Sequence, residues 1–335
     1  MDTSRFEKAV EQELLFALTD KGEFKRTCVS QIKIMNINYK GWQCPIANHS
    51  IYFRHSGNAT SGICGEFLLA TDKFPWWKVT DGKELLQGTG TCNFRRRACY
   101  CGSDINVAKC KTQEAGYEFI DHLLSIVHEN GKLIDNYERL QMDDNIVALG
   151  SYYTYRYQRL SITLDYGKKC NLDCSYCADY IHDNFIPFLS LDKVEKMLDI
   201  AQDINPLGEK ILIITGGEPT LAKELTKVVE MAKQRKFIKI HINTNSTASK
   251  AKYTKLIEMG CRIDCTFHEQ YVTDKQIIKV RDLFRKYGRN NVLVKILGPN
   301  NSPFALRVKS IFGDDWQYIT SHPIYNRDNY EIISV

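Results

Sequence analysis

The second half of this chain predicts an α/β fold, and three observations carry that expectation. Short apolar runs alternate with amphipathic stretches from Arg159 onward, the runs are dominated by Leu, Ile and Val, and the alternation repeats six times in about 175 residues. Strands are expected at Leu160–Leu164, Lys210–Ile214, Ile238–Asn243, Arg262–Phe267, Asn291–Ile296 and Trp316–Ile319. Helices are expected at Asp192–Asp203, Leu221–Arg235, Ala248–Met259, Asp274–Tyr287 and Pro303–Ser310. Continuous apolar runs are what parallel strands need when both of their faces are buried. In such a fold the loops at the carboxyl ends of the strands build the site. Periodicity leaves open whether the sheet closes or stays a partial barrel.

The first half reads differently. Phe6, Val10, Leu14 and Leu18 suggest a helix over 4–18, Gln31–Asn38 and Ser50–Arg54 suggest strands, and Ser56-Gly57-Asn58 turns the chain toward Cys64. Trp76–Trp77 and Asp81–Gly82 belong to a turn-rich stretch, a helix is expected from Glu114 to His128, and 130–158 reads as a linker. Long periodic elements are nearly absent between Cys44 and Cys110, so that segment buries little alone and would gain from a metal staple. The expected organisation is a small irregular α+β cysteine-rich domain over 1–150, followed by the α/β domain over 151–335.

A chain of 335 residues has room for two such domains, and its 43% hydrophobic and 25% charged residues are ordinary globular values that exclude a disordered chain. Met1 to Gln12 is polar and acidic, and no apolar run approaches a membrane span. The expectation is a cytoplasmic protein with no membrane partner, whose thiols stay reduced. Twelve cysteines then point to metal ligands and core thiols, not to a disulfide framework. Cys28, Cys261 and Cys265 stand apart and read as core thiols. The net charge of +5 arises in the second half, since 18 of the 45 Lys and Arg face 19 of the 40 acids in 1–150, leaving 27 against 21 in 151–335. Such an excess favours an anionic substrate or a negative redox partner. It is too small to establish nucleic-acid binding, which stays open.

The chemistry concentrates where Cys170-Asn171-Leu172-Asp173-Cys174-Ser175-Tyr176-Cys177 follows the first strand of the α/β series. Soft thiolates suit iron–sulfur clusters or zinc. Three of them can hold a four-iron cluster and leave one iron without a protein ligand; a structural zinc would recruit a fourth ligand, for which His182 is nearest. Thr215-Gly216-Gly217-Glu218-Pro219-Thr220 follows the second strand, and its glycines permit close backbone approach. Asn243-Thr244-Asn245-Ser246 ends the third, where Asn243 and Asn245 are candidates for a ribose contact or for capping the next helix. Thr266-Phe267-His268-Glu269-Gln270 ends the fourth, with His268 either at the site or in a polar rim, and Lys295 and Gly298-Pro299-Asn300 end the fifth.

In its cysteine spacing, with Tyr176 before the last cysteine, this loop resembles that of the radical S-adenosylmethionine (radical SAM) superfamily. The resemblance implies a partial (β/α)6 TIM-like barrel and a [4Fe-4S] cluster on Cys170, Cys174 and Cys177. It also implies S-adenosyl-L-methionine chelating the open iron, and reductive cleavage to methionine and a 5′-deoxyadenosyl radical that removes a substrate hydrogen. Gly216, Gly217 and Glu218 resemble the segment that meets the cofactor's methionine amino group; Tyr176, Asn243, Asn245, Thr266 and His268 are the further cofactor contacts implied, His268 also as a catalytic group. A flavodoxin- or ferredoxin-like electron donor is the implied partner. The first domain resembles SPASM/twitch-type auxiliary domains, which implies a second iron–sulfur cluster on Cys44, Cys64, Cys92 and Cys101, with Cys99 as the substitute for Cys101 and Cys110 last in line. Zinc and unliganded thiols are the alternatives there. Arg95-Arg96-Arg97 beside them is an anion contact or a solvated basic loop. The substrate favoured at this point is a peptide or amino-acyl group. The alternatives are a base in DNA or RNA or a nucleotide-linked amino acid, or a non-catalytic iron–sulfur or zinc module that binds nucleic acid. A monomer and a homodimer are equally compatible.

Overall fold

The computed structural model describes residues 15–28, 31–32, 35, 37–44, 49–61, 76–79, 82, 90–91, 108–126, 128–129, 132–133, 137–152, 154, 158–177, 185–322, 324–325 and 332–334. Its contacts divide the chain into two compact units, Met1–Phe53, Gly57–Ile162 and Ile200–Lys210 in one, and Arg54–Ser56, Thr163–Asp199 and Ile211–Val335 in the other.

The first unit contains β1 (Leu15–Thr19), β2 (Phe24–Thr27), β3 (Gln43–Cys44), β4 (Ser50–Phe53), β5 (Ala59–Ser61), β6 (Gly90–Thr91), β7 (Lys109–Cys110), α1 (Gln113–Leu124), β8 (His128–Glu129), β9 (Lys132–Leu133) and β10 (Ile146–Ser151). Six of these strands form a sheet in the order β2-β1-β10-β7-β3-β6, with antiparallel pairing. One face gathers Phe16, Leu18, Ala148 and Tyr152 with Phe119 and Leu123 of α1. Leu15, Ala17 and Leu149 point the other way, toward Ile32, Tyr39 and Trp42. Strand β1 is therefore buried on both faces, which explains why its residues carry no polar side and why the helix expected over 4–18 fails at Leu15–Thr19. The strand expected at Gln31–Asn38 does not form among the described residues of that stretch, and 33, 34 and 36 lie outside them. Gln31, Ile32 and Met35 are helical, and the three-residue spacing of Ile32 and Met35 turns both into the same core. Within the expected linker 130–158 lies β10, a central strand.

The second unit follows the sequence closely. It holds β11 (Leu160–Asp165), α2 (Leu191–Ile204), β12 (Lys210–Thr215), α3 (Leu225–Gln234), β13 (Phe237–Thr244), α4 (Lys250–Glu258), β14 (Cys261–Phe267), α5 (Asp274–Tyr287), β15 (Val292–Leu297), α6 (Pro303–Phe312), β16 (Thr320–His322), and the pair β17 (Ile324–Tyr325) and β18 (Ile332–Ser334); the boundary between units falls inside β11, α2 and β12. Strands β11 to β16 lie side by side in chain order, and β13 to β16 pair in parallel. Parallel strands laid down in order and joined by right-handed crossovers send every helix to the same face. Accordingly α3, α4 and α5 lie against β13, β14 and β15. Leu212, Ile214, Ile240, Ile242, Ile263, Cys265, Val294 and Ile296 are buried on that side. Burial of each such Leu, Ile or Val contributes about 1.5–3 kcal/mol. The opposite face presents the half-buried alternates, among them Thr215, His241, Asn243, Arg262, Thr266 and Lys295.

Local signals set the helix starts. Ser249, Thr273 and Ser302 each accept a hydrogen bond from a first-turn amide, and Thr273 with Gln276 forms a complete capping box. Ser249, not Asn243 or Asn245, caps α4. The strand expected at Trp316–Ile319 is displaced: Gly313–Tyr318 winds as a 3-10 helix, and β16 begins at Thr320.

Candidate functional site

Between β11 and α2 the chain leaves the sheet as the cysteine loop. Cys174 is buried, while Cys170 and Cys177 are half-buried. The amide of Cys177 donates to the carbonyl of Cys174 at 2.9 Å, which folds the second half of the loop into a turn. Burial pushes the Cys170 and Cys174 thiols up from the ordinary thiol range, with hydrogen bonds from Leu172 to Cys170 and from Tyr176 to Cys174 offsetting part of it. Among the described residues, no three His, Cys, Asp or Glu side chains stand close enough to hold a single metal ion. A four-iron cluster takes one thiolate per iron and spreads its sulfurs wider than the ligands of one ion. The donor set of three thiols on one short loop fits such a cluster; His182 lies outside the described residues.

The loop after β14 grips the cysteine loop from one side. His268 Nδ1 lies 2.8 Å from Tyr176 Oη and 3.4 Å from Cys174 Sγ, and the His268 and Tyr176 rings stack with centroids 5.9 Å apart. Desolvation lowers the His268 pKa to about 4, so its ring is neutral near pH 7. Gln270 accepts from the Ser175 amide at 3.1 Å and donates to Ser175 Oγ at 2.6 Å, and Tyr271 Oη donates to the Asp173 carbonyl.

From the other side comes the glycine loop. Its glycines are required by close approach to the chain's own backbone: a Cβ on Gly216 would lie 2.2 Å from Gly167 O, and one on Gly217 would lie 2.4 Å from Lys168 O and Lys169 O. The approach is sealed by hydrogen bonds from Gly217 N to Gly167 O at 2.7 Å and from Glu218 N to Lys169 O at 2.8 Å. Glu218 is fully buried. Its Oε1 accepts from Thr220 N at 3.0 Å, from Thr220 Oγ1 and from Thr244 Oγ1 at 2.8 Å, while Oε2 accepts from Asn245 N at 2.6 Å. Burial raises its pKa, and these four donors hold it down in part. The carboxylate thus joins the loops after β12 and β13, and keeps one acceptor position on Oε2.

Asn245 carries the link onward. Its Nδ2 donates to Asn171 Oδ1 at 2.9 Å and points at Cys170 Sγ from 3.7 Å. Asn243 and Thr266 lie on the helix-free face, and the Thr266 carbonyl accepts from Ser246 Oγ at 3.2 Å. Residues beyond the expected set complete the support. Lys252 donates to the carbonyls of Thr220 and Ala222, Lys279 donates to those of Ser246 and Ala248, and Tyr253 Oη lies 3.0 Å from Thr244 Oγ1. Two lysines from α4 and α5 therefore tie down loops that carry a buried carboxylate. Only the helical placement of Lys252 and Lys279 is visible in the sequence; their reach to the loops is not.

Lower on the helix-free face, Arg262 makes a two-pronged ion pair with Asp264, Nε to Oδ1 at 2.7 Å and Nη2 to Oδ2 at 2.9 Å, and Lys295 Nζ lies 3.6 Å from Asp264 Oδ2. Burial alone would raise the Asp264 pKa, but the Arg262 and Lys295 charges outweigh it and hold the carboxyl below the ordinary 3.8. A depressed carboxylate pKa contributes stability that is present above the unfolded value and lost as pH falls through the folded one. Asp264→Asn is therefore expected to lower unfolding stability near pH 7 by about 3 kcal/mol, the low end for a broken buried pair because Arg262 stays partly exposed. Urea unfolding between pH 7 and 2.5 checks this: the deficit should shrink below pH 3.8, and one that stays constant would mean the pair contributes nothing.

Of the cysteines expected to bind a second cluster, Cys64, Cys92, Cys99 and Cys101 lie outside the described residues. Cys44 ends β3 and is buried, and Cys110 ends β7 beside it, with its thiol pKa raised first by burial and then by the Cys44 charge. Arg95-Arg96-Arg97 also lies outside the described residues.

Residues 164–301 match the family described as the Radical SAM superfamily. Similar curated proteins include the GTP 3′,8-cyclase of Staphylococcus saprophyticus subsp. saprophyticus, 36% identical over 110 residues that make 31% of each chain. The GTP 3′,8-cyclase of Clostridium perfringens (strain SM101 / Type A) is 28% identical over 152 residues, 42% of this chain and 45% of the relative. A probable GTP 3′,8-cyclase of Methanocaldococcus jannaschii is 32% identical over 133 residues, 38% and 41%. The alignments thus span less than half the length of these relatives. Among solved structures, native anSMEcpe with bound AdoMet is 18% identical with a TM-score of 0.41, covering 51% of this chain and 55% of that one. No helix among the described residues is long and apolar enough to cross a membrane.

Proposed function

We propose that this chain is a radical S-adenosylmethionine enzyme acting on a nucleotide or a nucleic-acid base. The observation that carries the reading is the family match over 164–301, a span that holds both the cysteine loop and the glycine loop. The substrate class is supported by the relatives, which are similar over part of this segment and are named for GTP. It displaces the peptide or amino-acyl group that the sequence alone favoured.

On this reading Cys170, Cys174 and Cys177 hold a [4Fe-4S] cluster at the end of a partial (β/α)6 barrel. With S-adenosylmethionine and one electron, the cluster would supply the 5′-deoxyadenosyl radical. The remaining work belongs to the protein. His268, Tyr176, Gln270 and Tyr271 keep the loop in one conformation and exclude water from the Cys174 side. Asn245 aims an amide at the Cys170 sulfur, where a donor stabilises thiolate charge. Glu218 fixes the glycine loop and keeps an acceptor for a cofactor ammonium, and Asn243 and Thr266 line the approach as candidate ribose and cofactor contacts. Residues 1–150 act as a cysteine-rich domain carrying a second cluster on Cys44, Cys64, Cys92 and Cys101 or Cys99. A flavodoxin- or ferredoxin-like protein in the cytoplasm supplies the electron.

Anaerobically reconstituted protein, reduced with dithionite and given S-adenosylmethionine, is expected to form methionine and 5′-deoxyadenosine in equal amounts. Nucleoside triphosphates should accelerate that cleavage more than peptides do. Failure to form 5′-deoxyadenosine above a protein-free control would refute the reading; acceleration by peptides alone would return the substrate to the peptide class.

A further inference from the structure

We infer that Lys295, backed by the Arg262–Asp264 pair on the helix-free face of β14 and β15, anchors an oxyanion of the substrate, a phosphate or a carboxylate. The inference rests on the proposed function and names the group by which that site would hold its substrate.

Charge on this face does not cancel. Arg262 and Lys295 are cationic and Asp264 is the carboxylate between them. His241, paired in register with Arg262, adds no charge, because burial and then the Arg262 charge push its pKa down to about 3. Asp165 stands away on β11, and its carboxylate accepts from the His55 amide at 3.4 Å. A positive excess therefore remains.

The three cationic and anionic groups play different parts. Asp264 is 5% exposed and engages both prongs of the Arg262 guanidinium, so that fork is committed. Lys295 is held less closely, by charge alone. Its amine stays 3.6 Å from Asp264 Oδ2, beyond hydrogen-bond reach, and its side chain keeps 24% of its surface in solvent. A partly buried ammonium that is ion-paired but makes no hydrogen bond among the described residues, beside a guanidinium, is a point-charge site for an oxyanion. Register places Lys295 opposite Thr266, two residues before His268. A substrate held there by its anionic end would extend toward the strand ends that carry the cysteine and glycine loops.

The test is calorimetric titration of the reconstituted, unreduced full chain at low ionic strength, with inorganic pyrophosphate and with glutarate as probes. Lys295→Gln is expected to weaken the better probe about ten-fold or more, the loss of one charge-assisted contact. Lys295→Arg should stay within about three-fold, and Asp264→Asn should tighten binding by removing the competing carboxylate. Lys309→Gln, an equal change of net charge on the exposed side of α6, should bind as the parent does. Tighter pyrophosphate identifies a phosphate and tighter glutarate a carboxylate. The anchor is overturned if neither probe binds the parent protein, if Lys295→Gln binds both unchanged, or if Lys309→Gln loses as much. No reduction is involved, so an anchor without 5′-deoxyadenosine formation would refute the radical reading alone, and the converse result would refute the anchor alone.

Discussion

Cys174→Ala is expected to lower 5′-deoxyadenosine formation by about 100-fold or more, beyond the roughly 10–100-fold typical when only a partner outside the ligand set is lost. Cys265→Ala is expected to leave it nearly unchanged. The two substitutions delete the same sulfur from buried positions, so burial alone predicts similar outcomes. Their surroundings differ. Cys265 sits fully buried on the helix side of β14, where burial pushes its thiol up to about 12 and keeps it protonated and inert. Its loss leaves a small cavity worth about 1 kcal/mol. Cys174 projects from a loop that three other loops position, with His268 Nδ1 3.4 Å from its sulfur. Iron and sulfide per chain, product yield and the urea midpoint separate the cases: Cys174→Ala should lose iron and product, Cys265→Ala only some stability. Parental iron and product in Cys174→Ala would place the cluster elsewhere.

That contrast marks what a sequence makes legible. Cysteine spacing is local, so Cys170, Cys174 and Cys177 declare themselves without a structure. Helix α5 does the same, because the Thr273–Gln276 box starts it and Gly288 ends it within the segment's own residues. In the first unit the deciding contacts come from far along the chain. Leu15–Thr19 pairs with 146–151 and is covered on both faces, so its spacing imitates a helix while tertiary burial makes it a strand. The β10 partner passes unnoticed for the same reason. Within the site, Lys252 and Lys279 act on loops about one strand–helix unit away, Tyr253 on the loop just before its own helix, and Gln270 and Tyr271 on a loop nearly a hundred positions earlier. Lys252, Tyr253 and Lys279 have no distinctive neighbour in sequence, and Gln270, although it follows His268, gives no sign there of which loop it reaches. The cysteine and glycine loops are legible, and the residues that hold them still are not.

The holding part has its own test at Gly216. Gly216→Ala is expected to destabilise the protein by at least about 3 kcal/mol, with loss of product per bound iron, whereas Gly260→Ala costs about 1–2 kcal/mol and spares the product. Both glycines have positive φ, +126° at Gly216 and +87° at Gly260, so both substitutions strain the backbone. At Gly260 strain is the whole cost, since an added Cβ meets nothing within 4 Å. At Gly216 the Cβ would also collide with Gly167 O at 2.2 Å and Asp165 Oδ1 at 2.9 Å. The first of these is backbone and cannot swing aside, so the glycine loop must lift. Lifting it stretches the Gly217–Gly167 and Glu218–Lys169 hydrogen bonds, each worth about 0.5–1.5 kcal/mol, and pulls Glu218 from Thr244 and Asn245. Asn245 then loses its aim at the Cys170 sulfur, which transmits a methyl group's displacement to the cysteine loop. Urea midpoints and product yield for the two variants decide the matter. Equal losses at both positions would mean that the glycine loop bears on the cysteine loop no more than a turn between α4 and β14 does.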